Sequence, residues 1–354
     1  MRYAGIVFAV ALLGADAANC IPHVYAPAGT YRQTVVPLHG PGLVLQGGGT
    51  DIDPLVTWMH DTLSGGARGR FGNVVVMRAY GDNDYDTYMQ ALGPFQSVRT
   101  IVIPPCADAR DVDAQAAYVA GADAVFFSGG DQANYARWKD SALIAAVRNV
   151  WARGGVVGGT SAGLAIQGEY AYDSVAADRL HPNDDDYEVR TGNAVPNPLE
   201  PEISFTSGMF AWPPLERVIT DTHFARRDRF GRLVAFLARL ETERRLGTGA
   251  LYGLGIDERS ALAVDRNGIA RLMKYTGSGY QTRGAYLVRL IKMNPLVAGQ
   301  PLRATVRVLH LSRAGARLDL AAKQGEGTWY DVDVDGKAEP PYSKNPYEGD
   351  EPPS

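Results

Sequence analysis

The chain has 354 residues, of which 45% are hydrophobic and 21% charged. These proportions exclude a disordered, collagen-like or coiled-coil polypeptide and suffice for one large α/β domain or two smaller ones. Thirty-five Lys and Arg against 39 Asp and Glu leave a formal charge of −4, too mild for nucleic acid or an anionic membrane to be the main partner. A small or peptidic substrate fits better. The 40 glycines exceed the usual ~7%. They gather at Gly47 to Gly49, Gly129-Gly130, Gly154-Gly155 and Gly158-Gly159, places where backbone must pass close to something.

At the start of the chain Arg2 precedes the apolar run Ala4 to Leu13, and Ala15-Asp16-Ala17 follows it. This is the pattern of a secretory signal peptide over residues 1–17, cleaved near Ala17. The run is shorter than the ~20 residues a spanning helix needs, and no later stretch reaches that length. The expectation is a soluble, secreted or periplasmic protein whose functional domain covers residues 18–329. Ala17 stands where a lipoprotein signal carries Leu, so Cys20 is not read as a lipidation site. An oxidising compartment permits a disulfide between Cys20 and Cys106, the only two cysteines.

From about residue 42 to 168, apolar β-branched runs alternate with helical stretches, the rhythm of a mostly parallel sheet flanked by helices in an α/β fold. Strands are predicted at 43–46, 74–77, 100–103, 124–127 and 154–158, with helices near 113–120 and 134–153. In such sheets ligands bind along the carboxyl edge of the strands. Between 168 and 215 the pattern degrades into a long excursion, and its Asp184-Asp185-Asp186 triplet reads as a solvated loop rather than a metal site. A helix follows at about 229–242, then an additional C-terminal antiparallel β segment at 261–264, 268–273, 285–291 and 304–311. The Pro- and acid-rich stretch 330–354 is predicted to be a disordered tail.

Gly159-Thr160-Ser161-Ala162-Gly163 fits the G-x-S-x-G pattern between an apolar strand and a helix. A nucleophile elbow needs small residues on either side because the serine backbone is strained and its neighbours crowd the sheet. A tight strand-to-helix turn without chemistry fits the pentapeptide too. A serine nucleophile also needs a base, usually a histidine held by an acid. Of the six histidines, His23 lies near the new N-terminus, His60 in a predicted helix and His181 in the excursion. His223 follows the apolar Val218-Ile219, just past a strand end. Arg226, Arg227, Arg229 and Arg232 come directly after it, and guanidinium forks suit a carboxylate; a solvated basic helix face is the blander reading.

Four stretches, in this order over about 43–264, resemble the successive signatures of the cyanophycinase family of serine peptidases, which includes the aspartyl dipeptidases. They are Phe126-Phe127-Ser128-Gly129-Gly130-Asp131-Gln132, Gly158 to Gly163, Asp221-Thr222-His223-Phe224 with Arg227, Arg229, Gly231, Arg232 and Leu233, and Gly253-Leu254-Gly255-Ile256-Asp257-Glu258. The resemblance implies a sheet like that of the class I glutamine amidotransferases and hydrolysis of an isopeptide or aspartyl bond, in cyanophycin the β-linkage between an aspartate backbone and arginine. It also implies a peptide or polymer substrate, a homodimer, and no cofactor or metal. By the same resemblance Ser161 is the nucleophile and His223 the base, backbone N–H groups near Gly130 and Ala162 form the oxyanion hole, and Gln132, Arg227, Arg229 and Arg232 line the substrate site. Two departures bear on substrate preference: Thr222 stands where the family usually has Gln, and the stretch from Ser161 to His223 is longer than in the compact cytoplasmic members. For the triad acid Asp173, Asp178 and Glu169 compete, with Asp173, at the end of the segment 168–172, favoured.

Two other functions compete. An α/β-hydrolase esterase would use Ser161 with His39-Gly40-Pro41-Gly42 as oxyanion loop and His310 as base, but His310 lies within an apolar β stretch and reads better as a buried structural residue. A non-catalytic binding protein on the same fold would have no use for both Ser161 and His223. A glutamine amidotransferase is disfavoured because its nucleophile is cysteine, and neither Cys20 nor Cys106 stands in an elbow.

Overall fold

Residues 20–184 and 187–348 are described by the computed structural model; the signal-peptide pattern at 1–17 lies outside them. Five parallel strands form the centre of the first sheet, in the order Ser97–Val102, Asn73–Arg78, Ala124–Phe127, Val156–Thr160 and Gly42–Gln46. Their sequences are near-continuous apolar runs because both faces are covered. Alternate side chains point to opposite faces of a strand. Val44, Val74, Val76 and Phe126 pack with Leu55, Met59 and Leu63 of the helix Asp53–Ser64. Leu43, Leu45, Val75, Met77 and Phe127 pack with Leu143, Ile144 and Val147 of the helix Ala142–Ala152.

The predicted helix over 134–153 is two helices, Gln132–Ala136 and Ala142–Ala152. Asp140 between them has φ +67°, a left-handed conformation a continuous helix does not admit. The Ser141 side chain then caps the second helix by accepting the Ile144 N–H at 3.2 Å.

The expectation of one mostly parallel sheet with a β appendage needs correction. The C-terminal strands complete the first sheet, where Ser260–Val264 runs antiparallel to Gly42–Gln46, and they build a second sheet of seven strands. The second sheet runs Thr328–Asp335, Arg303–Leu311, Ala285–Met293, Tyr252–Ile256, Val218–Asp221, Tyr170–Tyr172, Phe205–Ser207. Only Val218–Asp221 is parallel to its neighbours. One face packs on the helix Phe230–Glu243 through Leu233, Phe236, Val288 and Val306. The other shares a core with the first sheet through Leu254, Leu287, Leu164 and Leu262. The fold is therefore α/β with two mixed sheets and flanking helices. Within the excursion, Tyr170–Tyr172 and Phe205–Ser207 are strands of this sheet.

The predicted disordered tail is ordered as far as residue 348. Residues 328–335 form an edge strand whose Val332 and Val334 are buried. The Tyr347 hydroxyl accepts the Phe230 N–H at 2.9 Å and donates to Asp228 at 2.7 Å. Composition misled because Asp331, Asp333, Glu339 and Pro340 sit on the solvent side of a strap anchored by tyrosines. At the other end of the chain, Cys20 and Cys106 are joined by a disulfide, tying residue 20 to the loop that follows Ser97–Val102.

Candidate active site

Ser161 follows the strand Val156–Thr160 with φ +51° and ψ −118°, a strained backbone for a residue with a Cβ. The flanking glycines are required by space: a Cβ on Gly159 or Gly163 would run into the Phe127 carbonyl oxygen. The Ser161 Oγ lies 2.7 Å from His223 Nε2. His223 Nδ1 in turn lies 2.7 Å from Glu258 Oε1.

Topology explains this meeting. Val218–Asp221 and Tyr252–Ile256 are neighbouring parallel strands with Asp221 paired to Gly255, and His223 and Glu258 each stand two residues past their strand's end. The glycine loop after Gly42–Gln46 then gathers all three segments. The carbonyls of Gln46, Gly47 and Gly48 accept the N–H groups of Ser161 at 3.0 Å, His223 at 2.8 Å and Arg259 at 2.8 Å. Gly48 has φ +100°, and a Cβ there would lie 2.5 Å from His223 Nε2. The imidazole thus packs directly on bare backbone.

The carboxylate on the histidine is Glu258, not Asp173. Asp173 is buried elsewhere, accepting from Thr206 Oγ1 at 2.8 Å, Ser204 Oγ at 2.5 Å and the Val175 N–H at 3.0 Å. Glu169 accepts the Arg217 N–H at 2.6 Å. Asp178 lies beside Asp131 and 3.4 Å from Arg137; burial and then the Asp131 charge raise its pKa to about 6. Glu258 belongs to the Gly253 to Glu258 stretch already conspicuous in the sequence. Its position past a strand end, like that of His223, was the available signal.

The arginines divide. Arg232 is buried, with Nε 2.9 Å from Asp221 Oδ2 and Nη2 2.5 Å from Asp221 Oδ1. Arg229 is buried too, donating to Glu188 and, through Nη1, to the Thr222 carbonyl at 3.0 Å and Thr222 Oγ1 at 2.9 Å. Protein groups engage Arg229 Nη1 and Nη2 and the whole Arg232 fork, against the expectation that all three arginines are open to the site. Arg227 differs: its side chain is 45% exposed, 3.5 Å from Glu188 and 4.0 Å from Glu258. Burial works against ionisation of Glu188, but Arg229, Arg232 and Arg227 outweigh it and hold that carboxyl below its usual range. Burial first, then Arg229, Arg227 and Arg232, push the His223 imidazole well below its ordinary value. The neutral ring this favours accepts a proton at Nε2 while Nδ1–H donates to Glu258.

No family model matches the chain, and no curated protein sequence is significantly similar to it. Solved structures are. The structure of a peptidase from an acI-B1 Actinobacterium aligns with a TM-score of 0.46 at 17% identity, covering 80% of this chain and 98% of that one. A putative peptidase E protein from Listeria monocytogenes EGD-e aligns with a TM-score of 0.41 at 12% identity, covering 67% of this chain and all of the other.

Gly129 lies beside the serine, where a Cβ would be 3.4 Å from Ser161 Cβ, whereas a Cβ on Gly130 would meet the Tyr80 ring and hydroxyl. Gln132, which opens the next helix, donates to Ser174 Oγ at 2.7 Å. The exposed Tyr80 accepts the Asp131 N–H at 3.1 Å and walls this side. Among the described residues no group of three or more His, Cys, Asp or Glu side chains is placed to hold a metal. No helix among them is long and apolar enough to cross a membrane.

His310 is not near Ser161. Its Nε2 lies 2.6 Å from the Arg283 carbonyl, and its ring stacks on Tyr286 at 4.3 Å. Residues 39–42 lead into the start of a strand whose Gly42 pairs with Val156, the sheet edge opposite Ser161. An esterase site built from these parts is therefore ruled out.

Proposed function

We propose that the protein is an exported serine-type hydrolase of peptide bonds that acts on β-aspartyl (isopeptide) linkages, in small peptides or in cyanophycin. The single observation that carries the reading is the continuous hydrogen-bonded line from Ser161 through His223 to Glu258, starting at a serine held in a strained elbow.

In this reading Ser161 Oγ attacks the scissile carbonyl as its proton passes to His223 Nε2. Glu258 orients the ring through Nδ1–H and stabilises the imidazolium, which the nearby guanidinium groups would otherwise disfavour. The imidazolium gives its proton to the leaving amine, the amine departs, and water repeats the sequence on the acyl-enzyme. Backbone N–H groups at Gly130 and Ala162 receive the developing oxyanion. Arg227 is the guanidinium left to contact a substrate carboxylate, and a β-aspartyl substrate carries one next to the scissile bond. The Cys20–Cys106 disulfide is compatible with an oxidising compartment, which supports export.

The test is to incubate purified protein with cyanophycin and with matched α- and β-aspartyl dipeptides, and to identify the products by mass. β-Aspartyl cleavage that disappears in Ser161→Ala is expected. Cleavage surviving in that variant, or a preference for the α-linked series, would overturn the proposal.

A further inference from the structure

We infer that Asp257, the residue before Glu258, is a positioning residue that sets the separation between His223 and Glu258; the inference rests on the Ser161–His223–Glu258 reading. The ladder between Val218–Asp221 and Tyr252–Ile256 ends at the pair Asp221 and Gly255. Beyond it, one backbone bond joins the two departing segments, from the Phe224 N–H to the Ile256 carbonyl at 3.3 Å. Both members of the imidazole–carboxylate contact thus lie past the end of this ladder, held from one side by the carbonyls of Gly47 and Gly48.

Asp257 takes over there. Its carboxylate is fully buried. Oδ1 accepts the N–H groups of Ala225 at 3.0 Å and Arg226 at 2.9 Å, the turn directly after His223. Oδ2 accepts the Tyr280 hydroxyl at 2.7 Å and the Arg283 N–H at 2.9 Å. A carboxylate offers about four acceptor sites, so the group is filled by dipoles from two loops. His223 needs such a brace, because its φ of +47° is a conformation the surrounding turn must impose.

The chemistry asks for this rigidity. Asp257 holds the turn of His223 with its side chain and carries Glu258 on its own backbone, so any movement of Asp257 changes the 2.7 Å contact between them. Misplacement by about 1 Å can cost a hundredfold in rate. Asp257 touches no reacting atom and acts only through these two neighbours.

Two variants test it. Asp257→Asn replaces one acceptor oxygen with a donor, and Tyr280→Phe removes a single hydroxyl from a half-buried loop. Three readouts do not depend on the natural substrate: the rate at which a fluorophosphonate labels Ser161, the far-downfield proton resonance of His223 Nδ1–H, and the melting temperature. We expect Asp257→Asn to label about 10- to 100-fold more slowly and to lose the downfield proton. Tyr280→Phe should keep its melting temperature and label several-fold more slowly with a shifted resonance. If the wild type does not label at Ser161, the triad reading fails and takes this inference with it. If the wild type labels and folded Asp257→Asn matches it in rate and resonance, the inference alone fails. Should Asp257→Asn not fold, an unchanged rate and resonance in Tyr280→Phe overturns it.

Discussion

Replacing Glu258 by Gln separates the acid found in the structure from the one favoured by the sequence. The substitution keeps the side chain's shape and removes its charge. The imidazolium formed during acylation then faces Arg227, Arg229 and Arg232 without the carboxylate that sits 2.7 Å from Nδ1. For charge centres about 4 Å apart at an effective dielectric of ~20, the lost attraction is about 4 kcal/mol, equivalent to about a thousandfold in kcat. KM should change little, because the charge develops only in the transition state. Asp173→Asn should behave differently. It disturbs hydrogen bonds to Ser204, Thr206 and Val175, which costs about 1–3 kcal/mol of stability while leaving the imidazole in place. The assay is kcat and KM on a β-aspartyl dipeptide, with urea unfolding of each variant. A Glu258→Gln enzyme within tenfold of wild type, or a larger kcat loss in a fully folded Asp173→Asn, would refute the assignment.

Because burial and the three arginines hold the His223 imidazole below its ordinary value of 6.5, the acid limb of kcat/KM should fall below pH 6.5. Removing one cation in Arg227→Gln favours the protonated ring, so the limb should move to higher pH, and a pH–rate profile reads the sign directly. By linkage, the stability this neutral histidine contributes is full above pH 6.5 and is lost as pH falls below it. Arg227→Lys should lower kcat/KM by about 1–3 kcal/mol for substrates with a carboxylate beside the scissile bond, with a much smaller effect on an uncharged ester. Arg232→Met should instead destabilise the fold by about 3–5 kcal/mol, since it leaves Asp221 buried without its fork, and urea unfolding would show it.

The local pattern of the sequence was enough for the five parallel strands of the first sheet, for the elbow and for two of the three residues in the hydrogen-bonded line. Strand runs and G-x-S-x-G are short-range signals, set by which side chains can be buried on both faces and which leave room for a bent backbone. The glycine clusters announced close approaches, and Gly48 against the His223 ring is one. Tertiary structure alone decided what depends on distance in sequence. Glu258 reaches His223 because two strands more than 30 residues apart pair in parallel with Asp221 opposite Gly255, a register that no local pattern encodes. Arg229 and Arg232 looked like substrate forks beside a catalytic histidine, but the helix Phe230–Glu243 turns Arg232 inward to Asp221, and Glu188 and Thr222 hold Arg229 just ahead of it. The residues from 330 onward read as a polar tail because composition averages over them. Those up to residue 348 are ordered because alternate valines of an edge strand and two tyrosine hydroxyls find partners supplied by Arg303–Leu311 and by the turn at Asp228.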